Sequence, residues 1–356
     1  IVAALNQMAQ DLVGEAGVDV SNIVEAVIGG NTAMHHLLLG LPVSQLARAP
    51  YVPALSDSVD VKARDIGLGI APGAYVHVLP NVAGFVGGDH VAMLLAIKMR
   101  DMTDPVLAID IGTNTEVCLA ANGRLTSVSC ASGPAFEGGH MRDGMRAADG
   151  AIERVEVRDG EVHIQVIGDA PPVGICGSGI LDALGELTEQ GIADRMGRLN
   201  AEHPLVKSDG KAREFVIVPE EKRRNGRPLG LTQSDIRQLQ LAKAAIATGI
   251  QVLLADAGLS PEQLSSVIVA GAFGTYIDLD SAMAVGMVPR LPLDRFRQVG
   301  NAAGSGAKLA LASIAHREEA RRLATSIGYI ELASDPKFMM RFVANTYLQE
   351  FEQTGG

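Results

Sequence analysis

The stretch VLAIDIGTNTEVCLA, from Val106 to Ala120, sets the tightest limit on what this chain can fold into. An apolar run ends in an acid at Asp110, turns through Gly112 and re-enters a second extended run, so it reads as strand, tight turn, strand. Gly112 can take positive φ without a Cβ penalty, which lets the turn backbone press against a ligand and aim its amides at an anion. Thr113, Asn114 and Thr115 add further donors. Asp110 at the strand end suits a hydrated magnesium ion, which keeps most of its waters and needs only one or two carboxylates. A plain β-hairpin with a polar turn has the same pattern, and the stretch alone leaves both readings open.

The surroundings of this hairpin are mixed α and β. Residues 1–16 show helical periodicity, with Ile1, Leu5, Met8 and Leu12 on one face. VEAVIGG at 24–30 reads as a strand feeding a glycine turn, and a helix from Thr32 to Leu39 is capped by Asn31. A connection rich in Pro and Gly crosses 41–73, then AYVHVLP reads as a strand and FVGGDHVAMLLAIKM as a helix. The part before the hairpin is therefore α-β-α-β-α. After it, RLTSVSC extends the hairpin to a meander, and a glycine loop, ASGPAFEGGHMRDG, leads to strands at about 151–157 and 162–167. GICGSGILDALGEL is a glycine loop entering a helix, and a charged insertion follows. The longest helix runs through LTQSDIRQLQLAKAAIATGIQVLLADAGL, from a Thr232/Asp235 capping box to Gly258. SSVIVAGAFGTYID is a buried strand entering Gly271-Ala272-Phe273-Gly274, followed by a strand near FRQVGN and a small-residue helix, NAAGSGAKLALASIA.

Composition narrows the function classes. At ~150 residues per domain, 356 residues suggest two globular units. A net charge of −11 argues against a nucleic-acid surface, since phosphate neutralisation needs clustered Lys and Arg. The one basic cluster, Lys222 to Arg227, reads as a solvated loop. No apolar stretch approaches the ~20 residues needed to cross a bilayer. Cys118, Cys130 and Cys176 lie far apart and form no CxxC pair, which suggests a reducing cytoplasm without structural zinc. His35 and His36 are adjacent on a helix and point apart, so they do not easily share one ion. The start at Ile1, inside an amphipathic helix, suggests a piece of a longer protein.

The order of a DxGTxT hairpin, a long helix, a VIVAGAFG strand-turn and a Gly/Ala-rich final helix resembles the second lobe of the acetate kinase, sugar kinase, heat-shock chaperone and actin superfamily. The resemblance implies an α/β fold of two ribonuclease-H-like lobes, the first lacking its first three strands here. It makes 1–104 the remainder of the first lobe, 105–315 the second lobe and 316–356 an α/β extension. By position, Asp110, Gly112, Thr113, Asn114 and Thr115 would form the phosphate hairpin, with Asp110 holding magnesium through bound water. Gly271, Ala272, Phe273 and Gly274 would form the adenosine motif, and NVAGFVGGDH and NAAGSGAKLAL the connecting helices.

A narrower set of motifs, GGNTAMHHLLLGLP, PNVAGFVGGD, IDIGTNTE, GPAFEGGHMRDGMRAADGAIE, ICGSGILD and TQSDIRQLQLAKAAI, resembles the ATP-dependent reductive activators of corrinoid proteins. This implies an ATPase portion whose electron comes from a [2Fe-2S] domain absent here, acting on a corrinoid protein to return cob(II)alamin to cob(I). Gly177, Ser178 and Gly179 precede a helix and would hold phosphate, or simply make a tight loop entry. Lys243 would approach the nucleotide, or lie on the surface; Asn31 and Thr32 would touch ligand, or only cap a helix. The loop CASGPAFEGGHMRDG, with Ser132, Glu137 and His140, would face the partner, or fold beneath the lobe as scaffold. Two other functions stay open: a small-molecule kinase using Asp110 or Asp89 as base, and a nucleotide-sensing scaffold. Strand edges left by the missing segment would favour self-association, which leaves a homodimer open.

Overall fold

The structure is a computed structural model that describes residues 1–352 apart from 211, 224, 225 and 272. By contact the chain divides into two compact units, one of residues 1–104, 120–127 and 301–330, the other of 105–119, 128–300 and 331–356.

The first unit opens with α1 (Val2–Ala16), which stops at Gly17 in the left-handed region, φ 66°. It continues through β1 (Glu25–Ile28), α2 (Thr32–Leu38), β2 (Val59–Lys62), β3 (Tyr75–Val78) and α3 (Gly88–Ala96). Asn31 caps α2 as expected, its Oδ1 accepting from the Met34 N–H at 2.9 Å. β1 is parallel and β2 antiparallel to β3, giving the order β1-β3-β2. The span 41–73 is thus more than a connection. Val59 and Val61 alternate with Asp60 and Lys62, and a four-residue edge strand among Pro, Gly and Ser leaves too short a pattern to read. Buried Ala9, Leu38, Val76 and Val78 belong to one core that joins α1, α2 and this sheet.

In the second unit β4 (Val106–Ile111), β5 (Thr115–Ala121) and β6 (Arg124–Cys130) form the expected meander. β7 (Ala151–Arg158) and β8 (Glu161–Val166) do not extend it; with β9 (Gly174–Ile175) they make a separate sheet, β8-β7-β9. α4 (Gly177–Glu189) follows, and the charged insertion contains its own sheet of β10 (Val206–Ser208), β11 (Arg213–Val218) and β12 (Leu229–Thr232). α5 (Gln233–Ala257) has the expected capping box: the Asp235 N–H donates to Thr232 Oγ1 at 3.1 Å and the Thr232 N–H to Asp235 Oδ2 at 2.8 Å. It ends at Gly258, φ 67°. By length and composition α5 could cross a membrane, which the sequence reading overlooked, yet 83% of its apolar window is buried inside the chain, as in a core helix. β13 (Ser266–Ala270) then lies parallel to β4 and, after the short helix α6 (Leu279–Ala284), to β14 (Phe296–Gly300), so this sheet runs β14-β13-β4-β5-β6.

The chain returns to the first unit as α7 (Ala302–Ala312), α8 (Ile314–Ser326) and β15 (Ile327–Tyr329), the last parallel to residues 125–127 of β6. α7 meets α3 backbone to backbone, because a Cβ at Gly306 would stand 1.8 Å from the Ala92 carbonyl oxygen. α9 (Phe338–Asn345) belongs to the second unit and packs on α5, with Asn345 Nδ2 donating to Thr248 Oγ1 at 3.0 Å and to Gln251 Oε1 at 2.9 Å.

Candidate functional site

Three glycine-bearing segments of the second unit meet around one cavity of about 630 Å³. Phe136 and Glu137 come from the loop after β6, Cys176, Gly177 and Ser178 from the entry to α4, and Phe273 and Tyr276 from the turn after β13. The contacts are close enough to demand glycine. A Cβ on Gly177 would sit 1.9 Å from the Phe136 carbonyl oxygen and 2.7 Å from the Phe273 ring, and one on Gly274 would sit 2.2 Å from the Ala270 carbonyl oxygen. The Phe136 and Phe273 rings stack with centroids 5.5 Å apart, giving the cavity an apolar wall.

Asp110, at the end of β4, is not among the residues lining this cavity; it stands beside the turn after β13. Gly271, at φ 94°, passes so near the end of β4 that a Cβ there would meet the Ile111 carbonyl oxygen at 2.5 Å and Asp110 Oδ1 at 3.0 Å. The hairpin after Asp110 and the turn that begins at Gly271, remote in sequence, are therefore neighbours. Ala272 lies outside the described residues. Gly112 is not at positive φ; the turn closes with its N–H donating to the Asn114 carbonyl at 3.2 Å, and the missing side chain serves instead to clear that carbonyl.

Thr113 Oγ1 donates to Glu137 Oε1 at 2.9 Å, linking the hairpin tip to the following loop. Glu137 and His140 are exposed, His140 at φ 60°. Ser132 is not, since its hydroxyl pairs with Thr115 Oγ1 at 2.9 Å in the interior. Ser132 and Thr115 thus lie in the interior with each hydroxyl bonded to the other. The rest of the loop is pinned by buried Asp143, which accepts from Arg142 Nη2 at 2.7 Å, Arg227 Nη2 at 2.5 Å and the Gly230 N–H at 3.2 Å. Arg227 of the basic cluster is exposed, as a loop residue, while its guanidinium reaches Asp143; Arg224 and Asn225 of that cluster lie outside the described residues. The Arg142 guanidinium is held still further above its ordinary range by its bond to Glu214.

At the helix entry, Cys176 supplies no side-chain cap to α4. The first amides of a helix have no intrahelical acceptor, so those of Gly177, Ser178 and Gly179 are available to an anion. Gly179 also packs, its Cβ position lying 2.4 Å from the Ile152 carbonyl oxygen. Lys243 is neither a surface residue nor a lining residue of this cavity. It is buried, its ammonium donates to the Tyr347 carbonyl at 2.5 Å, and burial brings its pKa down to about 7. Thr32 is likewise committed, its hydroxyl donating to the Ala83 carbonyl at 2.6 Å.

Among the described residues no group of three or more His, Cys, Asp or Glu could hold a metal ion. A hydrated magnesium ion needs no such set, and Asp110 beside the glycine turn meets its one-carboxylate demand. Sequence reasoning missed Met145, Arg146 and Tyr276, which also line the cavity. Tyr276 stands three residues after Phe273, a signal that was present but unread.

Residues 104–354 match the family described as the C-terminal domain of RACo, the ASKHA domain, and residues 1–102 match the RACo middle region. The chain belongs to the RACo family. It is 36% identical, over 97% of its length and 60% of the other's, to the corrinoid activation enzyme RamQ of Eubacterium limosum. It is 27% identical, over 60% of its length and 40% of the other's, to the [Co(II) methylated amine-specific corrinoid protein] reductase of Methanosarcina barkeri. A solved reductive activator for corrinoid, iron-sulfur protein superposes with TM-score 0.91 at 35% identity, over 98% of this chain and 56% of that one. This RACo-family chain therefore has the mixed α/β ASKHA fold, and spans 60% or less of each of these relatives.

Proposed function

We propose that the chain is the nucleotide-binding portion of a reductive activator, which binds magnesium-ATP at the second-unit cavity and uses it to favour return of a protein-bound cob(II)alamin to cob(I). The observation that carries this reading is the approach of Gly271 to Asp110, because it joins the two motifs that a nucleotide needs, one for phosphate and one for adenosine. In this reading the backbone of Gly112 to Asn114 and the first amides of α4 hold phosphate oxygens, while Phe273, Phe136 and Tyr276 give the base an apolar surface. Magnesium, when bound, neutralises charge on the phosphates, and Asp110 orients it through a bound water. Glu137, tied to Thr113 at 2.9 Å, would pass occupancy of the phosphate turn to the exposed loop that carries His140.

The reduction is uphill for an ordinary [2Fe-2S] donor, so nucleotide can help only through different affinities for two states of the assembly. The proposal includes the division of the chain into 1–104, 105–315 and 316–356 as two ribonuclease-H-like lobes and an extension. It also includes a [2Fe-2S] domain and the first strands of the first lobe supplied from outside this chain, and a cytoplasmic protein able to form a homodimer.

The test is calorimetry on the full-length protein. Asp110→Ala should weaken magnesium-ATP binding at least tenfold and slow ATP-dependent cob(II) reduction. Unchanged affinity and turnover would remove Asp110 from the site. ATP turnover that requires an added small alcohol or acid would favour the kinase alternative.

A further inference from the structure

We infer that Glu137 gates the phosphate turn: its carboxylate holds the place of an anion at Thr113, so a nucleotide engages the turn only when a divalent cation covers its charge. The inference rests on the nucleotide reading above and deepens it, naming the charge form of the ligand that the site admits.

Glu137 belongs to the cavity and to the hairpin at once. It lines the cavity beside Phe136, Phe273 and the entry to α4, and it accepts from Thr113 Oγ1 at 2.9 Å. Thr113 itself does not line the cavity. A hydroxyl that donates to a carboxylate oxygen can donate to a phosphate oxygen, since both acceptors are anionic and take the same kind of bond. Thr113 has one hydroxyl proton to give, so phosphate takes that bond only after Glu137 has left it.

The backbone delivers the carboxylate to this place. Glu137 closes the 3-10 turn Pro134–Glu137, in which Ala135 and Phe136 are buried. Gly138 follows at φ 77°, where a Cβ would stand 2.7 Å from the Met145 backbone nitrogen. With both neighbours fixed, the exposed side chain of Glu137 is what can swing away, by rotation between staggered rotamers.

Nothing in the surroundings cancels its charge. No ion pair engages Glu137 among the described residues. Of the charged residues that line the cavity, Glu137 and Glu153 are acidic and Arg146 is basic, so the lining repels a bare polyanion. A phosphate oxygen at Thr113 would stand close to the carboxylate, and like charges about 4 Å apart cost roughly fivefold in affinity even at the dielectric of water. With magnesium on the phosphates that repulsion is cancelled, and the carboxylate can turn to the water shell of the ion.

Titration calorimetry on the full-length protein, at fixed ionic strength, with adenosine, with ATP in EDTA and with magnesium-ATP reads the gate. Glu137→Gln keeps the shape and an oxygen for Thr113 but loses the charge. It should tighten metal-free ATP about fivefold or more and magnesium-ATP much less, so the advantage given by magnesium shrinks. Adenosine has no charge to repel and should shift far less than metal-free ATP. Glu137→Ala should give the same pattern, which separates the charge from any bond the glutamine makes. The inference is overturned if metal-free ATP binds Glu137→Gln no more tightly than wild type, or if adenosine gains as much as ATP. Adenosine binding to the wild type without the shift in ATP would sink the gate and leave the nucleotide reading standing. A wild-type protein that binds neither adenosine nor ATP would sink both.

Discussion

Asp182, on α4, is nearly inaccessible: the Val155 N–H donates to its Oδ2 at 3.4 Å, Arg154 stands 3.6 Å away and is shared with Asp278, and Oδ1 has no partner. Burial pushes its carboxyl up to about 7. The unfolded chain releases that proton near pH ~4, so between about 4 and 7 the native state holds more protons and stability falls as pH rises. The loss is on the order of 4 kcal/mol at most. Asp182→Asn should flatten this slope, as read from equilibrium unfolding at several pH values; an unchanged slope would place the titration elsewhere. Gly177→Ala is the second test at this scale. Its Cβ would stand 1.9 Å from the Phe136 carbonyl oxygen, so a loss of ~1–3 kcal/mol in unfolding free energy is expected, together with weaker nucleotide binding in calorimetry. Asp110, Gly177, Gly271 and Phe273 were legible in the sequence because close backbone approach selects glycine and leaves a motif. Asp182 was not, since its burial comes from β7 and α6, packed around α4 from other parts of the chain.

A helix can bind a stretch of chain without reading its sequence, and α5 does so with the residues after α9. Gln240 Nε2 donates to the Thr346 carbonyl at 2.7 Å, Lys243 to the Tyr347 carbonyl at 2.5 Å, and Gln251 Nε2 to the Glu352 carbonyl at 2.5 Å. Carbonyl acceptors are the same whatever side chains the strap carries, which is why α5 was plain from its caps while Lys243 stayed open between the nucleotide and the surface. Lys243 is the weak member of the stripe. Burial lowers it to about 7, whereas the unfolded chain keeps the proton to ~10.4. Over that window the unfolded state binds more protons, so stability rises with pH, by on the order of 4 kcal/mol. Lys243→Met should abolish the rise in unfolding experiments between pH 7 and ~10; a wild-type-like rise would exclude Lys243 as its source. β2 illustrates the other kind of illegibility: two valines alternating with Asp60 and Lys62 become a strand only once β3 offers its edge.

For the whole molecule, the order of motifs was enough to show the ASKHA fold and the family, because each motif marks a strand end or helix entry. Electron supply is a separate matter. Cys118, Cys130 and Cys176 are buried and form no disulfide, and no ligand cluster occurs among the described residues. This chain, mixed with a cob(II) corrinoid protein and ATP, should leave the cobalt absorption spectrum unchanged, whereas a longer protein carrying a [2Fe-2S] domain should convert it when given a reductant. Conversion by this chain alone would overturn the division of labour. What no local pattern showed is that the first unit is discontinuous, with 301–330 grouped with 1–104. The contact of Gly306 with Ala92 then acquires a meaning in time. A ribosome adding about 5–20 residues per second needs roughly ten seconds or more to travel from α3 to α7. Throughout that interval the face of α3 that α7 will cover has no cover, while most of the second unit, residues 105–119 and 128–300, is being made. The part of this chain that is made first is thus among the last to close, and during synthesis its open face needs shielding from other nascent chains.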